Sequence, residues 1–104
     1  KGKCAVGNGR MTNEGFIVYK DSTASTQITD AVRKRNERII SSLLQSGHIK
    51  KISDKLFKFE KDYLFNSPSA ASDFIVGHSS NGWDYWKTKQ GKTLKEIEQE
   101  KLKD

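Results

Sequence analysis

The chain has 104 residues, 34% of them hydrophobic and 31% charged. That length supports one domain with one modest core, since roughly 60–70% of the unfolded surface is buried at this size. Nineteen Lys and Arg against thirteen Asp and Glu leave a net charge of +6. The excess favours anionic partners, nucleic acid first and an anionic membrane surface second, although a lysine-rich surface kept for solubility has the same composition.

No apolar run is long enough to span a membrane, and no signal peptide opens the sequence. Cys4 is the single cysteine, which excludes an internal disulfide and leaves a zinc site short of ligands. These features predict a cytoplasmic domain without membrane attachment. The chain begins at Lys1, and residues 1–104 read as one accessory domain at the C-terminal end of a longer protein.

In chain order, Lys3 to Gly7 carries a short apolar segment, and Asn8-Gly9 signals a turn. Gly15 to Lys20 is β-branched and aromatic and reads as a strand, paired with the first segment as a hairpin through Gly9 to Glu14. Ser22 to Gln27 reads as a loop. Thr29 or Asp30 is placed to cap the longest helix. Val32, Asn36, Ile39, Ile40, Leu43 and Leu44 share one side of it, with Lys34, Arg38, Ser41 and Gln45 opposite and Arg35 on the flank. Gly47 ends this helix. Basic residues in its first turns oppose the macrodipole, a small cost that suggests a partner, unless their stems simply cover apolar surface.

Ile49–Ile52 and Lys55–Glu60 read as a second hairpin turning at Ser53-Asp54. Asp62 to Phe65 leads into the next helix. Ser67 is an N-cap with Pro68 at the first helical position, and Gly77 terminates the helix. Asn81-Gly82 signals a tight turn, and Trp83 to Thr88 reads as an aromatic strand. Thr93 to Glu96 is a capping box opening a last helix, docked by Leu94 and Ile97. The expected order is β-β-α-β-β-α-β-α, an α+β domain with a mostly antiparallel sheet.

Catalytic and cofactor patterns are absent. Cys4, His48 and His78 lack metal-ligand spacing. Gly7-Asn8-Gly9 lacks the lysine and helix of a phosphate loop. No paired carboxylates stand out, and Cys4 beside Ala5 and Val6 reads as a small buried hydrophobe. No catalytic residue, metal or small-molecule cofactor is expected.

The remaining pattern is a binding constellation. His78, Ser79 and Asn81 offer donors and acceptors beside Trp83 and Trp86, a set suited to hydrogen-bonding and stacking on a base. Lys87, Lys89 and Lys92 follow and suit phosphates, as do Lys34, Arg35 and Arg38 on the long helix. Each residue also has a plain reading: the tryptophans as core, Asn81 as a turn former, the serines as partners of the backbone.

The run from Tyr63 to Ile97 resembles a bacterial domain of unknown function that follows GIY-YIG nuclease domains. The similarity rests on Ser67-Pro68-Ser69-Ala70-Ala71 and on Asn81-Gly82-Trp83-x-x-Trp86-Lys87, and extends upstream through Gly15–Ser25 and Val32–Ile49. A related pattern occurs in the restriction/adenine-methylase-associated domain, proposed to read modified DNA. The resemblance implies a non-catalytic module that helps a nuclease or DNA-modifying enzyme engage DNA. This chain lacks the GIY and YIG strands themselves. The alternative is a docking module for the nuclease domain of the same chain or another protein partner. A hydrolase built on Cys4 and a histidine is a third reading.

Overall fold

The first hairpin closes through Thr12. Its hydroxyl donates to the Gly15 carbonyl at 3.0 Å and accepts from the Glu14 amide at 3.1 Å. Asn13-Glu14 thereby becomes a two-residue connection between β1 (Gly9–Thr12) and β2 (Gly15–Val18). This is a computed structural model, and it describes residues 5–88 and 90–102. The expected linker between Gly9 and Glu14 is thus itself mostly strand. The apolar segment before it pairs elsewhere: Thr23 donates its amide to the Val6 carbonyl at 2.9 Å, and the Val6 amide donates to the Thr23 hydroxyl at 2.8 Å.

Two three-stranded antiparallel sheets follow. One has the order β1-β2-β6, with β6 at Tyr63–Phe65. The other has the order β3-β5-β4, built from β3 (Thr23–Ser25), β4 (Ile49–Lys51) and β5 (Leu56–Phe59). The hairpin of β4 and β5 is the one expected from sequence. By contrast, β3 falls in the expected loop and β6 in the expected lead-in. Both are three residues long and exist because β5 and β2 supply partners distant in sequence.

The helices are α1 (Arg33–Ser46), α2 (Pro68–Val76), α3 (Gly82–Tyr85) and α4 (Leu94–Leu102). The α+β class holds, with antiparallel pairing throughout the sheets. The expected strand at Trp83–Thr88 is corrected to α3 and an extended exit. Asn81 caps α3, its Oδ1 accepting from the Trp83 amide at 3.0 Å. Helix α1 starts later than expected and has no side-chain cap; Val32 precedes it. The Asp30 carboxylate is drawn instead to Arg33 at 3.2 Å, and the Thr29 amide donates to the Gly77 carbonyl at 2.8 Å.

The core lies where α2 and the inner sheet faces meet. Phe59, Phe65 and Phe74 pack together with centroids 5.4–6.4 Å apart. Phe16, Val18, Ile49, Ile75 and Leu43 surround them. Of the expected α1 stripe, Val32, Asn36 and Leu43 are buried, Ile39 and Ile40 half-buried, and Leu44 exposed. No described helix is long and apolar enough to cross a membrane.

Candidate nucleic-acid interface

The turn after α2 is held from below. Ser67 caps α2 by accepting the Ala70 amide at 3.1 Å, and Gly77 ends the helix in the left-handed region at φ 80°. A Cβ on Gly77 would lie 2.0 Å from the Gln27 carbonyl oxygen, so only glycine lets the strand-to-helix connection pass so close. Beyond it, Ser80 folds back. Its amide and hydroxyl donate to one carboxylate oxygen of Asp73 at 2.7 and 2.8 Å. The other oxygen accepts from Arg35 at 2.5 Å. Asn36 and Gly77 both donate to the Asp73 carbonyl. Asp73, 6% exposed, therefore has its charge met by a guanidinium and two hydrogen bonds, as a buried carboxylate requires.

This arrangement joins two of the regions predicted from sequence. The Arg35–Asp73–Ser80 chain fastens the basic flank of α1 to the polar turn. Lys34 and Arg38 are exposed on the same helix, without a carboxylate partner among the described residues. Arg33 is engaged by Asp30 and Glu37, which raises its pKa above the ordinary value, chiefly through the Asp30 hydrogen bond. His78 and Ser79 are exposed, the His78 ring nitrogen Nδ1 lying 3.0 Å from the Ser79 carbonyl. Asn81 is exposed but occupied as a cap, and its Nδ2 donates to Asp84 at 3.1 Å.

The tryptophans separate. Trp83 is half-buried on α3. Trp86 is a core residue, 6% exposed, stacked on Phe16 at 4.2 Å with its indole N–H donating to the Pro68 carbonyl at 3.0 Å. The expectation that Trp86 stacks on a base is therefore corrected: one face of its ring is covered by Phe16, its N–H is taken by Pro68, and little of the side chain reaches the surface.

Lys87 and Lys92 do not join the turn. They line a groove of about 430 Å³ between β1 and the segment from Trp86 into α4. Arg10 and Tyr19 also border it, and the Lys92 ammonium pairs with Glu100 at 2.5 Å. Lys89 and Cys4 lie outside the described residues. Among the described residues no group of three or more His, Cys, Asp or Glu is placed to hold a metal.

Sequence reasoning passed over Asp73 and Arg10. Asp73 carried a readable sign, being an acid inside the apolar helix Pro68–Val76; a buried acid demands a cationic or hydrogen-bonding partner. Arg10 carried none, because its place depends on where β1 falls.

Residues 1–98 match the model of a domain of unknown function, DUF4357. The chain belongs to this family. No curated protein and no solved structure matches the chain. The DUF4357 assignment covers both sheets, α1 to α3 and the start of α4, so the turn and the groove both belong to the family domain.

Proposed function

We propose that this domain is a non-catalytic DNA-binding accessory module. One observation carries the reading: the Arg35–Asp73–Ser80 chain holds an exposed polar turn against a helix whose outward cations, Lys34 and Arg38, lack carboxylate partners among the described residues. Cations on a rigid helix suit phosphates and position the duplex, while a fixed turn with His78 and Ser79 at its tip suits base edges or sugar. The net charge of +6 supplies long-range attraction. The Asn81-Gly82-Trp83-x-x-Trp86-Lys87 pattern supports the further reading that the domain serves a GIY-YIG nuclease or a restriction-modification enzyme in the cytoplasm. In that setting the turn would inspect modified bases such as methylated adenine.

The test is a fluorescence-anisotropy titration with plain and adenine-methylated DNA, single- and double-stranded, at two salt concentrations. Binding should fall steeply with salt, the log–log slope shrinking by about 1 for each phosphate contact removed by Lys34→Ala or Arg38→Ala. His78→Ala should change discrimination between the DNA forms more than it changes the slope. Absence of binding to every form at low salt refutes the reading.

A further inference from the structure

The groove beside β1 differs in kind from a phosphate site. Its floor is apolar: Phe16 and Trp86 stacked, with Leu94 and Ile97 from α4. One wall is a strand edge. The Tyr19 amide donates to the Asn8 carbonyl at 2.7 Å, which makes those residues a hydrogen-bonded pair. In an antiparallel ladder such pairs alternate, so Arg10–Ile17 is the next hydrogen-bonded pair, and Gly9 and Met11 turn their main-chain groups outward. No described residue outside the hairpin donates to or accepts from the Gly9 or Met11 main chain.

The other edges are guarded. Strand β4 has three residues and carries Lys50 and Lys51, the usual way to discourage edge pairing. The Val6 segment hydrogen-bonds with Thr23 of β3. Strand β6 has three residues and runs at once into the cap of α2. Among the described edge strands, only β1 combines four residues with this adjoining groove.

We propose that the β1 edge accepts an extended peptide with one central apolar side chain and acidic residues on either side. The peptide main chain pairs with Gly9 and Met11 as a fourth strand. Its apolar side chain seats over the Phe16–Trp86 floor. Its carboxylates meet Arg10 and Lys87, which line the groove and have no carboxylate partner among the described residues. Main-chain pairing supplies affinity and the floor supplies selectivity, as in other strand-addition sites. The rim carries Arg10, Lys87 and Lys92 against one lining acid, Glu98, so its net positive charge selects the acidic peptide, and the apolar floor with an open strand edge favours it over nucleic acid.

The experiment uses two degenerate peptide pools of roughly seven residues, enough to run the length of β1. Both are randomised among Val, Ile, Leu, Phe, Tyr and Thr at the centre; one has Asp and Glu at the ends, the other Lys. The immobilised domain should capture the acidic pool preferentially, and the captured pool should slow hydrogen exchange at the Met11 amide. Met11→Pro removes that outward donor without removing a β1–β2 ladder bond, and should cut capture by about tenfold, the worth of one main-chain hydrogen bond to a good acceptor. Arg10→Glu should reverse the preference between pools, and its circular dichroism should match wild type. Lys34→Ala with Arg38→Ala, which tests the DNA reading, should leave capture unchanged. Equal capture of the two pools overturns the proposal. So does acidic capture that survives Met11→Pro, or protection of Met11 by an oligonucleotide and not by peptide.

Discussion

The turn at residues 78–81 and the groove beside β1 meet at Trp86, whose indole N–H reaches Pro68 under the turn while its ring floors the groove. They use polar atoms in opposite ways. In the turn, Ser80, Asp73, Ser72 and Ser69 point inward and satisfy one another: Ser72 and Ser80 hydroxyls lie 2.6 Å apart, and Ser69 accepts the Gly82 amide at 3.1 Å. Only His78, Ser79 and Asn81 remain on the surface. In the groove the floor is apolar, the rim is charged, and the main chain of β1 is left open. In the readings proposed above, the first would present a fixed shape to a ligand and the second would take up a strand. A rigid turn loses little conformational entropy on binding, whereas an open edge gains hydrogen bonds only when it is filled.

The sharpest way to break this contrast is one substitution made on each side. A Cβ on Gly82 would lie 2.2 Å from the Pro68 carbonyl carbon and 2.3 Å from the Ser69 nitrogen. Both are main-chain atoms, so Gly82→Ala should cost at least about 3 kcal/mol, the upper range of overpacking. Gly91, in the turn before α4, has φ +87° and nothing within 4 Å of a Cβ. Gly91→Ala should cost only about 1 kcal/mol of backbone strain. Urea unfolding midpoints decide it, and equal losses would mean that the turn is not the more tightly built of the two.

Next in size is the carboxylate under the turn. Asp73→Ala leaves the Ser80 amide without its acceptor, leaves the Ser80 hydroxyl with Ser72 alone, and frees Arg35. A loss of about 2–3 kcal/mol is expected, from unsatisfied donors and a broken partly buried ion pair. Arg35→Ala should cost less, about 1 kcal/mol, because the Arg35 side chain is 50% exposed and water replaces its share. If Arg35→Ala proved the more damaging, Asp73 would be held mainly by charge and not by the turn.

How much of this was legible in the sequence follows from the range of each interaction. Ser67-Pro68, Gly77, Gly47 and the Thr93–Glu96 capping box read correctly because caps are local: the Thr93 hydroxyl accepts the Glu96 amide at 3.2 Å, and Glu96 accepts the Thr93 amide at 2.9 Å. The Trp83–Thr88 strand misread because aromatic propensity for strands is weak beside a cap at Asn81 and a glycine docked on Pro68. Strands β3 and β6 were invisible because their partners, β5 and β2, lie far away in sequence, whereas the equally short β4 pairs with the adjacent β5. Of the site, the exposed tip at His78 and Ser79 was legible as a polar run after a helix stop. The burial of Trp86 was not, since its stacking partner Phe16 lies seventy positions away in the chain.

A smaller effect tests the DNA reading of the turn against the plain one. Asn81 is exposed, yet its Oδ1 caps α3. Asn81→Asp keeps a capping acceptor and brings negative charge to the tip. By urea unfolding it should cost no more than about 1 kcal/mol, since Asn and Asp cap about equally well and the Asn81 Nδ2–Asp84 hydrogen bond gives way to a repulsion between two exposed carboxylates. DNA affinity should nevertheless fall several-fold, with the larger loss at low salt, where the added charge is least screened. Unchanged affinity in the folded variant would remove the turn from the interface and leave Lys34 and Arg38 as a phosphate clamp alone.

The smallest expected effect belongs to the groove side. Tyr85 packs edge-on against Trp86 at 4.9 Å. Burial raises its pKa above the ordinary value near 10, and the Gly7 main chain, in the wall of the groove, pulls partly the other way. A raised folded-state pKa means that the native state holds the phenolic proton more tightly than the unfolded state. The difference vanishes at neutral pH, where both states are protonated. It becomes a loss of stability as pH rises past about 10, through the unfolded-state value and on toward the folded one. Tyr85→Phe should therefore flatten the alkaline limb of stability against pH relative to wild type, with a smaller change at pH 7. Parallel alkaline limbs in the two proteins would show that the Tyr85 hydroxyl already meets solvent, and that the wall of the groove at Gly7 is looser than the packing of Trp86 beneath it.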